Sequence, residues 1–195
     1  MSGKTFILSL QVIALCLAPS LAAAGPDVTG IPNFHKVNDH VYRGAQPADL
    51  GFKSLATLGV KTVIDLRGEG ERSHAEEEAV KSAGMRYVGV PMRGLGAPTS
   101  DEMSKILALL DDPSAGPVFL HCKRGADRTG TVIACYRIKH DRWDNQKALN
   151  EARSYGMSWV ERAMQHYVLH YAADVATAAP AAAAAPAASS SVTTP

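Results

Sequence analysis

The sequence predicts an α/β fold in which a mainly parallel sheet of four to five strands is flanked by helices. The first observation is that short apolar, β-branched segments alternate with segments of helical periodicity. The second is that residues 60–66 and 117–121 are mostly apolar, which is typical of strands that helices cover on both faces. Sheets of this kind bind ligands at the carboxyl ends of their strands, so a functional site is expected there.

The first half of the domain contains strands and two helices. Residues 35–44 alternate apolar and polar side chains around an Asn-Asp turn, which predicts two short strands. Leucines at helical spacing, followed by a glycine, predict a helix over residues 47–59. Residues 60–66 predict a buried strand. Residues 73–84 open with a Ser–Glu capping box and end on a glycine, which predicts a helix, and residues 85–92 predict a strand that a proline ends.

The second half is richer in helix. Residues 99–112 begin with a Thr–Glu capping box and predict a helix. Residues 117–121 predict a short apolar strand. Residues 129–140 predict a helix in spite of their β-branched side chains, because this segment must pack against the sheet. Two further helices are predicted near residues 144–155 and 158–172.

Both ends of the chain are predicted to lie outside the folded domain, which we place at residues 33–172. Residues 1–24 have a basic start, a short apolar run and an A-x-A end, which is typical of a signal peptide. Residues 25–32 would form a linker. Residues 173–195 are almost all small residues with interspersed prolines, which predicts a disordered tail. We therefore expect export to a bacterial periplasm or the medium, and no stable membrane insertion after cleavage.

Composition narrows the partners and the cysteine chemistry. The chain has 20 Lys and Arg against 19 Asp and Glu, a formal net charge of +1, so no global charge directs it to nucleic acid. No spacing of histidines or cysteines predicts a metal site, and we expect no cofactor. Without the leader, Cys122 and Cys135 remain. Cys135 is interpreted as buried and inert, the alternative being a reversible disulfide that protects Cys122 from overoxidation.

The stretch HCKRGADRTG, residues 121–130, carries the chemistry. It leaves the strand at 117–121 and enters a helix, so its backbone N–H groups can converge on one anion. Gly125 lets the backbone turn tightly, and Gly130 permits close packing of the helix. Arg128 follows Cys122 by six residues, where its planar guanidinium can bind two phosphate oxygens.

Cys122 is predicted to lie at the base of this positive cradle, where the helix dipole, the amides and Arg128 favour its thiolate. A thiolate that faces a bound phosphate is a nucleophile aimed at phosphorus, and its attack would form a phosphocysteine that water then hydrolyses. We expect the His121 ring to bond the loop backbone and so fix the nucleophile. Thr129 is expected to place a hydroxyl near the sulfur, where it helps the sulfur leave.

HCKRGADRTG resembles the signature loop of cysteine-dependent protein-tyrosine and dual-specificity phosphatases. Upstream, NFHKVNDHVYRGAQP and GVKTVIDLR resemble the atypical dual-specificity phosphatases of plants and fungi and their bacterial relatives. The resemblance spans about residues 33–171. It implies the α/β fold of that family and phosphomonoester hydrolysis without a metal. It also implies that Cys122 is the nucleophile and Arg128 the phosphate clamp, with His121 and Thr129 in support.

The resemblance further implies an aspartate general acid on a loop upstream of the signature. Asp101 is the only aspartate in residues 92–103, but it also lies in the first turn of a predicted helix, where acids favour the dipole anyway. Asp127, inside the signature, is the second candidate, because myotubularin-type lipid phosphatases and some bacterial phosphatases of broad specificity also have Asp-Arg-Thr there. Its alternative role is to bond loop amides or to orient Arg128.

Substrate-binding residues are predicted in and around the loop. Lys123 and Arg124 add two cations beside the nucleophile, and related phosphoinositide phosphatases have a lysine at the position of Lys123. A polyphosphorylated inositol, a phosphoinositide or a phosphorylated polysaccharide therefore fits alongside a phosphorylated protein. Arg43 and Arg67 follow predicted strands and are expected at the same cleft. The other predicted phosphate-binding positions are the loop residues Gly125, Ala126 and Gly130.

Two other functions are compatible with a cysteine in such a loop. A rhodanese-like sulfurtransferase also cradles an anion, but the leading histidine and the Arg-Thr-Gly ending favour a phosphatase. A catalytically silent module that binds phosphorylated ligands would be expected to lack the nucleophile, whereas Cys122 and Arg128 are both present.

Overall fold

The computed structural model of the protein describes residues 28–70 and 74–173. The predicted signal peptide lies outside the described residues, as does the predicted tail apart from residue 173. No helix in the described part of the chain is long and apolar enough to cross a bilayer. The strands and helices are β1 (His35–Lys36), β2 (Val41–Ala45), α1 (Asp49–Thr57), β3 (Thr62–Asp65), α2 (His74–Ser82), β4 (Arg86–Gly89), α3 (Ser100–Asp111), β5 (Val118–Cys122), α4 (Asp127–His140), α5 (Asn145–Ser154) and α6 (Arg162–Leu169).

The predicted α/β class is confirmed. The five strands form one sheet in the order β1-β2-β5-β3-β4. Only β1 is antiparallel to its neighbour, and β2, β5, β3 and β4 are parallel. Ala45 of β2 is paired with Cys122 of β5, and Asp65 of β3 is paired with His121. The carboxyl ends of the three central strands therefore meet where the signature begins.

Helices cover both faces of the sheet. Helices α3 to α6 pack on one face around a core that includes Ile106, Val132 and Val168. Helices α1 and α2 pack on the other face, around Leu55 and Val80. Full burial of an aliphatic side chain contributes roughly 1.5–3 kcal/mol, so these two layers hold the sheet in place. Helix α4 is buried along most of its length, and this packing offsets the poor helix propensity of its β-branched residues.

Most element boundaries differ from the prediction by a residue or two, and β4 ends at Gly89, before the predicted end at residue 92. Helix α4 begins at Asp127, two residues before the predicted start, and α6 covers only Arg162–Leu169 of the predicted 158–172. Residues 28–32, predicted as part of a linker, are folded onto α1: Ile31 is buried, and the Gly30 carbonyl accepts a 2.8 Å bond from the Ala48 amide. The capping box predicted for α3 is confirmed, and it joins Thr99 and Glu102.

Candidate active site

The loop between β5 and α4 consists of residues 123–126. Gly125 has a φ of 65°, a left-handed conformation that favours glycine. A Cβ added at Gly125 would lie 2.4 Å from the backbone carbonyl of Gly44. Conformation and space therefore both require glycine, as the motif predicts. Gly130 packs on α5, where an added Cβ would meet Ala152 Cβ at 3.3 Å, so its predicted packing role is confirmed.

The backbone N–H groups of residues 123–127 donate no hydrogen bond to any residue that the structure describes. Buried backbone donors are almost always paired in folded proteins, and Gly125, Ala126 and Asp127 are buried. These five consecutive donors lead into the amino terminus of α4, whose dipole favours negative charge. A donor set of this kind is suited to binding an anion such as phosphate.

The loop forms one side of a cleft of about 420 Å³. Cys122 is 2% exposed and Arg128 is 7% exposed. The exposed side chains of Lys123 and Arg124 lie at the same cleft, so the structure brings the predicted nucleophile, clamp and cations together. The full lining consists of Gly94, Leu95, Cys122, Lys123, Arg124, Asp127, Arg128 and Glu161.

Arg43 supports this loop from beneath. Its Nη2 donates to the Gly125 carbonyl at 2.6 Å, and its guanidinium lies 4.7 Å from the ring centroid of Tyr155. Burial lowers the pKa of Arg43 to about 10, so the group is still a cation at neutral pH. Arg43 is 1% exposed and does not line the cleft. The structure therefore gives it a positioning role where we predicted substrate binding.

Asn33 holds the same loop from a second direction, a role that was not predicted from the sequence. Its Nδ2 donates to the carbonyl oxygens of Gly125 and Tyr155, each at 3.0 Å. Its φ of 54° is left-handed, a conformation that asparagine tolerates better than most residues. The only sequence signal is that Asn33 begins the first stretch that resembles the family.

A buried ionic cluster lies on the other side of Cys122. His121 Nε2 is 2.9 Å from Glu76 Oε1, and the guanidinium of Arg67 bonds both Glu76 and Asp65. The Tyr87 hydroxyl donates to Asp65 at 2.8 Å. Burial opposes ionisation of Asp65, but the bonds from Arg67 and the charge of His121 hold the pKa of this carboxyl below its ordinary value.

Arg67 was predicted to bind substrate, and the structure places it elsewhere. Its guanidinium is 2% exposed and pairs with two carboxylates, those of Asp65 on β3 and Glu76 on α2. Asp65, Glu76 and His121 present possible metal-ligand atoms within 4.8 Å of one another. Arg67 supplies positive charge to the two carboxylates of this group.

The support that His121 gives differs from the prediction. Neither ring nitrogen makes a hydrogen bond to the loop backbone within the described residues. The ring instead stacks on Phe119, with centroids 5.6 Å apart, and directs Nε2 to Glu76. The Nε2 atom lies within ion-pair distance of Glu76, but the geometry of this contact is not that of a hydrogen bond. Thr129 lies in the first turn of α4 with its hydroxyl buried and, among the described residues, unpaired.

Neither predicted general acid has a carboxyl directed only to the cleft. Asp127 lines the cleft, but its Oδ1 accepts a 2.8 Å bond from the Ser158 amide and its Oδ2 is bonded by Arg124. Both bonds are structural, but their partners differ from the alternative that we gave, which was bonding to loop amides or orientation of Arg128. Asp101 is exposed in the first turn of α3 and is not among the lining residues.

Glu161 is the second acidic residue that lines the cleft, and sequence reasoning missed it. It precedes α6 and belongs to no motif. Glu76 was interpreted only as a capping residue, although its carboxylate reaches the residue next to the nucleophile. Ser73, the partner predicted for that cap, lies outside the described residues.

A cysteine at the end of a central parallel strand, followed by a glycine-dependent anion loop with an arginine at the start of a helix, defines the class of cysteine-dependent phosphatases of the protein-tyrosine type. A family model described as a DSP-PTPase phosphatase fused to NAD+ kinase matches residues 26–169. The chain belongs to this dual-specificity and protein-tyrosine phosphatase family.

Individual relatives agree with the family. The chain is 31% identical over 139 residues to the dual specificity protein phosphatase TpbA of Pseudomonas aeruginosa strain UCBPP-PA14, which covers 71% of this chain but only 62% of TpbA. It is 30% identical over 142 residues to the inositol diphosphatase DSP5 of Arabidopsis thaliana, covering 69% of this chain and 67% of DSP5. The core catalytic domain of the PP-IP phosphatase SIW14 from S. cerevisiae has a TM-score of 0.67 and 27% identity, covering 74% of this chain and 88% of that domain.

Proposed function

We propose that this protein hydrolyses phosphomonoesters through a phosphocysteine intermediate. The observation that carries the proposal is the position of Cys122. It lies at the base of a loop with five consecutive N–H donors, beside Arg128 and at the amino terminus of a helix. Family membership favours this activity over the sulfurtransferase and over a silent binding module.

The reaction has two displacements. The Cys122 thiolate attacks phosphorus, the bond between phosphorus and the ester oxygen breaks, and the leaving alcohol takes a proton. Water then attacks the phosphocysteine, loses a proton, and displaces the sulfur as thiolate. The loop amides and Arg128 hold the phosphate oxygens as charge moves in both steps, which is where such groups lower a barrier most. To the buried Thr129 hydroxyl we assign the role of stabilising the departing sulfur.

The substrate that we propose is a phosphate ester with further negative charge. Lys123 and Arg124 support this, because both are exposed and both line the cleft. The names of the relatives include both kinds of substrate that we considered, phosphorylated protein and inositol phosphates. A panel of phosphotyrosine peptide, phosphoinositide and inositol polyphosphates, compared by kcat/KM, ranks them directly.

The activity is tested with the full chain and 4-nitrophenyl phosphate. We expect turnover in the presence of EDTA, inhibition by vanadate, and a loss of at least about 10³-fold in Cys122→Ser, since the nucleophile is removed. Binding of a phosphate analogue such as tungstate should persist in that variant. Full activity of Cys122→Ser would refute the mechanism, and a persulfide on Cys122 after thiosulfate treatment would indicate the sulfurtransferase.

We also propose that the domain acts after export. The support is the signal-peptide pattern of residues 1–24. The test is fractionation of bacteria that express the full chain, with sequencing of the amino terminus of the mature protein. A mature protein in the periplasm or medium that begins at Gly25 is the expected result, and an intact chain in the cytoplasm contradicts it.

A further inference from the structure

We infer that Glu161 is the catalytic residue that gives a proton to the leaving group and later takes one from the attacking water. This inference rests on the proposed phosphatase activity and adds the acid–base group to it. Its basis is the juxtaposition, in one cleft, of the Glu161 side chain with Cys122 and Arg128.

The position of Glu161 is fixed, although it lies between two helices. The adjoining Ser158 amide donates to Asp127 Oδ1 at 2.8 Å, which ties this segment to the first turn of α4. The Ser158 carbonyl accepts a 2.9 Å bond from Gln165 Nε2, which ties the same segment to α6. Glu161 follows this doubly anchored serine by three residues, so the backbone that brings it to the lining of the cleft is held in place.

The carboxyl of Glu161 is also available. The side chain caps no helix, although Glu161 occupies the position before α6 where a capping residue would lie. No described residue forms a hydrogen bond or an ion pair with this carboxyl, and the residue is only 8% exposed. By contrast, both oxygens of Asp127 accept bonds from Ser158 and Arg124. Of the two acidic residues that line the cleft, Glu161 is the one whose carboxyl has no partner among residues 28–70 and 74–173.

The chemistry needs one group that can serve in both displacements. In the first, the sulfur–phosphorus bond forms and the phosphorus–oxygen bond breaks, and the proton of the Glu161 carboxylic acid passes to the departing oxygen. In the second, the Glu161 carboxylate takes a proton from water as the water oxygen bonds to phosphorus and the sulfur leaves as thiolate. The carboxyl therefore ends the cycle protonated, and no other reactant is required.

The other charged groups that face this cleft are Cys122 from β5, Lys123 and Arg124 from the loop, and Asp127 and Arg128 from α4. The cations and the thiolate are used in phosphate binding and attack. This leaves a carboxyl as the group that can exchange a proton with the leaving oxygen, and Glu161 is the one without a structural bond.

The test compares leaving groups, because protonation matters most for a poor one. Glu161→Gln should lose about 10²-fold in kcat/KM on phenyl or alkyl phosphate but less than about 3-fold on 4-nitrophenyl phosphate, whose leaving group needs little help. The basic limb of its pH profile should also flatten on the poor substrates. The matched control is Glu78→Gln, which makes the same change on the exposed face of α2 and should alter neither substrate.

Three further measurements make the outcome decisive. Vanadate binding by Glu161→Gln shows that its loop is intact, and Glu161→Asp, which retracts the carboxyl by one methylene, should show a smaller loss with the same preference. Equal losses of Glu161→Gln on good and poor leaving groups would overturn the inference. The inference would also be overturned if Asp101→Asn, and not Glu161→Gln, showed a larger loss on poor leaving groups than on good ones. Failure of the proposed function is distinct, since it would leave the wild-type chain inactive on every ester.

Discussion

Cys122 and Cys135 are equally hidden from solvent but lie in opposite surroundings. They are 2% and 0% exposed, both contribute to the same core cluster, and both are free thiols, so the disulfide considered from the sequence is not formed. Cys135 lies within α4 among apolar side chains, and burial raises the pKa of its thiol. Cys122 is next to five N–H donors and Arg128. Burial therefore does not distinguish the two cysteines. The feature that distinguishes them is the loop of four residues between β5 and α4, which adjoins only Cys122.

With Cys122 itself left in place, deforming that loop is expected to have the largest effect on the comparison of the two cysteines. Gly125→Ala should lower kcat/KM by at least about 10²-fold, because the new methyl group would meet the backbone of Gly44 and the loop N–H groups would lose their alignment. Strand β2 cannot move aside, since it is paired with β5. Steady-state kinetics and vanadate binding measure the loss.

The control for this variant is Gly68→Ala. No atom lies within 4 Å of a Cβ added at Gly68, so this variant should keep both activity and vanadate affinity. Wild-type kinetics in Gly125→Ala would show that the geometry of the loop is not what separates Cys122 from Cys135.

Alkylation measures the difference between the two thiols directly. At pH 7, iodoacetamide should modify Cys122 at least about 100-fold faster than Cys135, because only a thiolate reacts and a thiol with a raised pKa stays protonated. Peptide mapping by mass spectrometry assigns the label to each cysteine. The Cys122→Ser chain should remain unlabelled at Cys135 under the same conditions. Faster labelling of Cys135 would reverse the comparison.

These two cysteines also show how far the sequence could predict the site. Cys122, Gly125 and Arg128 are close along the chain, so their spacing and the strand-to-helix context suffice to predict the loop. The order of strands and helices follows from short-range periodicity in the same way. Arg43 and Arg67 were assigned to the cleft because each follows a strand.

The sequence could not predict which partner a side chain faces when that partner comes from a distant part of the chain. Whether Arg67 faces a substrate or a carboxylate depends on where α2 places Glu76, and no local pattern encodes that. Glu161 reaches the cleft from a segment 33 positions after Arg128, beyond α4 and α5. Such contacts depend on helix packing, which periodicity does not specify.

Removing the carboxylate beside His121 tests how the buried ionic cluster acts on the nucleophile. Glu76→Gln should lower kcat/KM by about 10-fold, because the His121 ring loses the carboxylate that orients it and the residue next to the nucleophile is held less firmly. The measurement is steady-state kinetics on 4-nitrophenyl phosphate, together with thermal unfolding of the same variant.

Glu77→Gln is the matched control, because Glu77 pairs with the exposed Lys81 on the same helix. Its kcat/KM should equal that of the wild-type chain. If Glu76→Gln lowers thermal stability but leaves kcat/KM unchanged, the cluster acts on folding and not on the reactivity of Cys122.

The smallest effect concerns the exposed cation beside the nucleophile. Lys123→Ala should change kcat/KM on 4-nitrophenyl phosphate by less than about 2-fold but lower it about 5-fold on an inositol polyphosphate, since an exposed charge contributes about 1 kcal/mol or less. The difference should shrink as salt rises, because the Debye length falls to about 3 Å at 1 M. Lys53→Ala, which changes an exposed lysine on α1, should alter kcat/KM on neither substrate.

An equal effect on both esters would mean that Lys123 acts on the loop or the thiolate, as Arg128 does. If the effect is selective and disappears at high salt, Lys123 contributes to the choice of substrate and not to the difference in reactivity between Cys122 and Cys135.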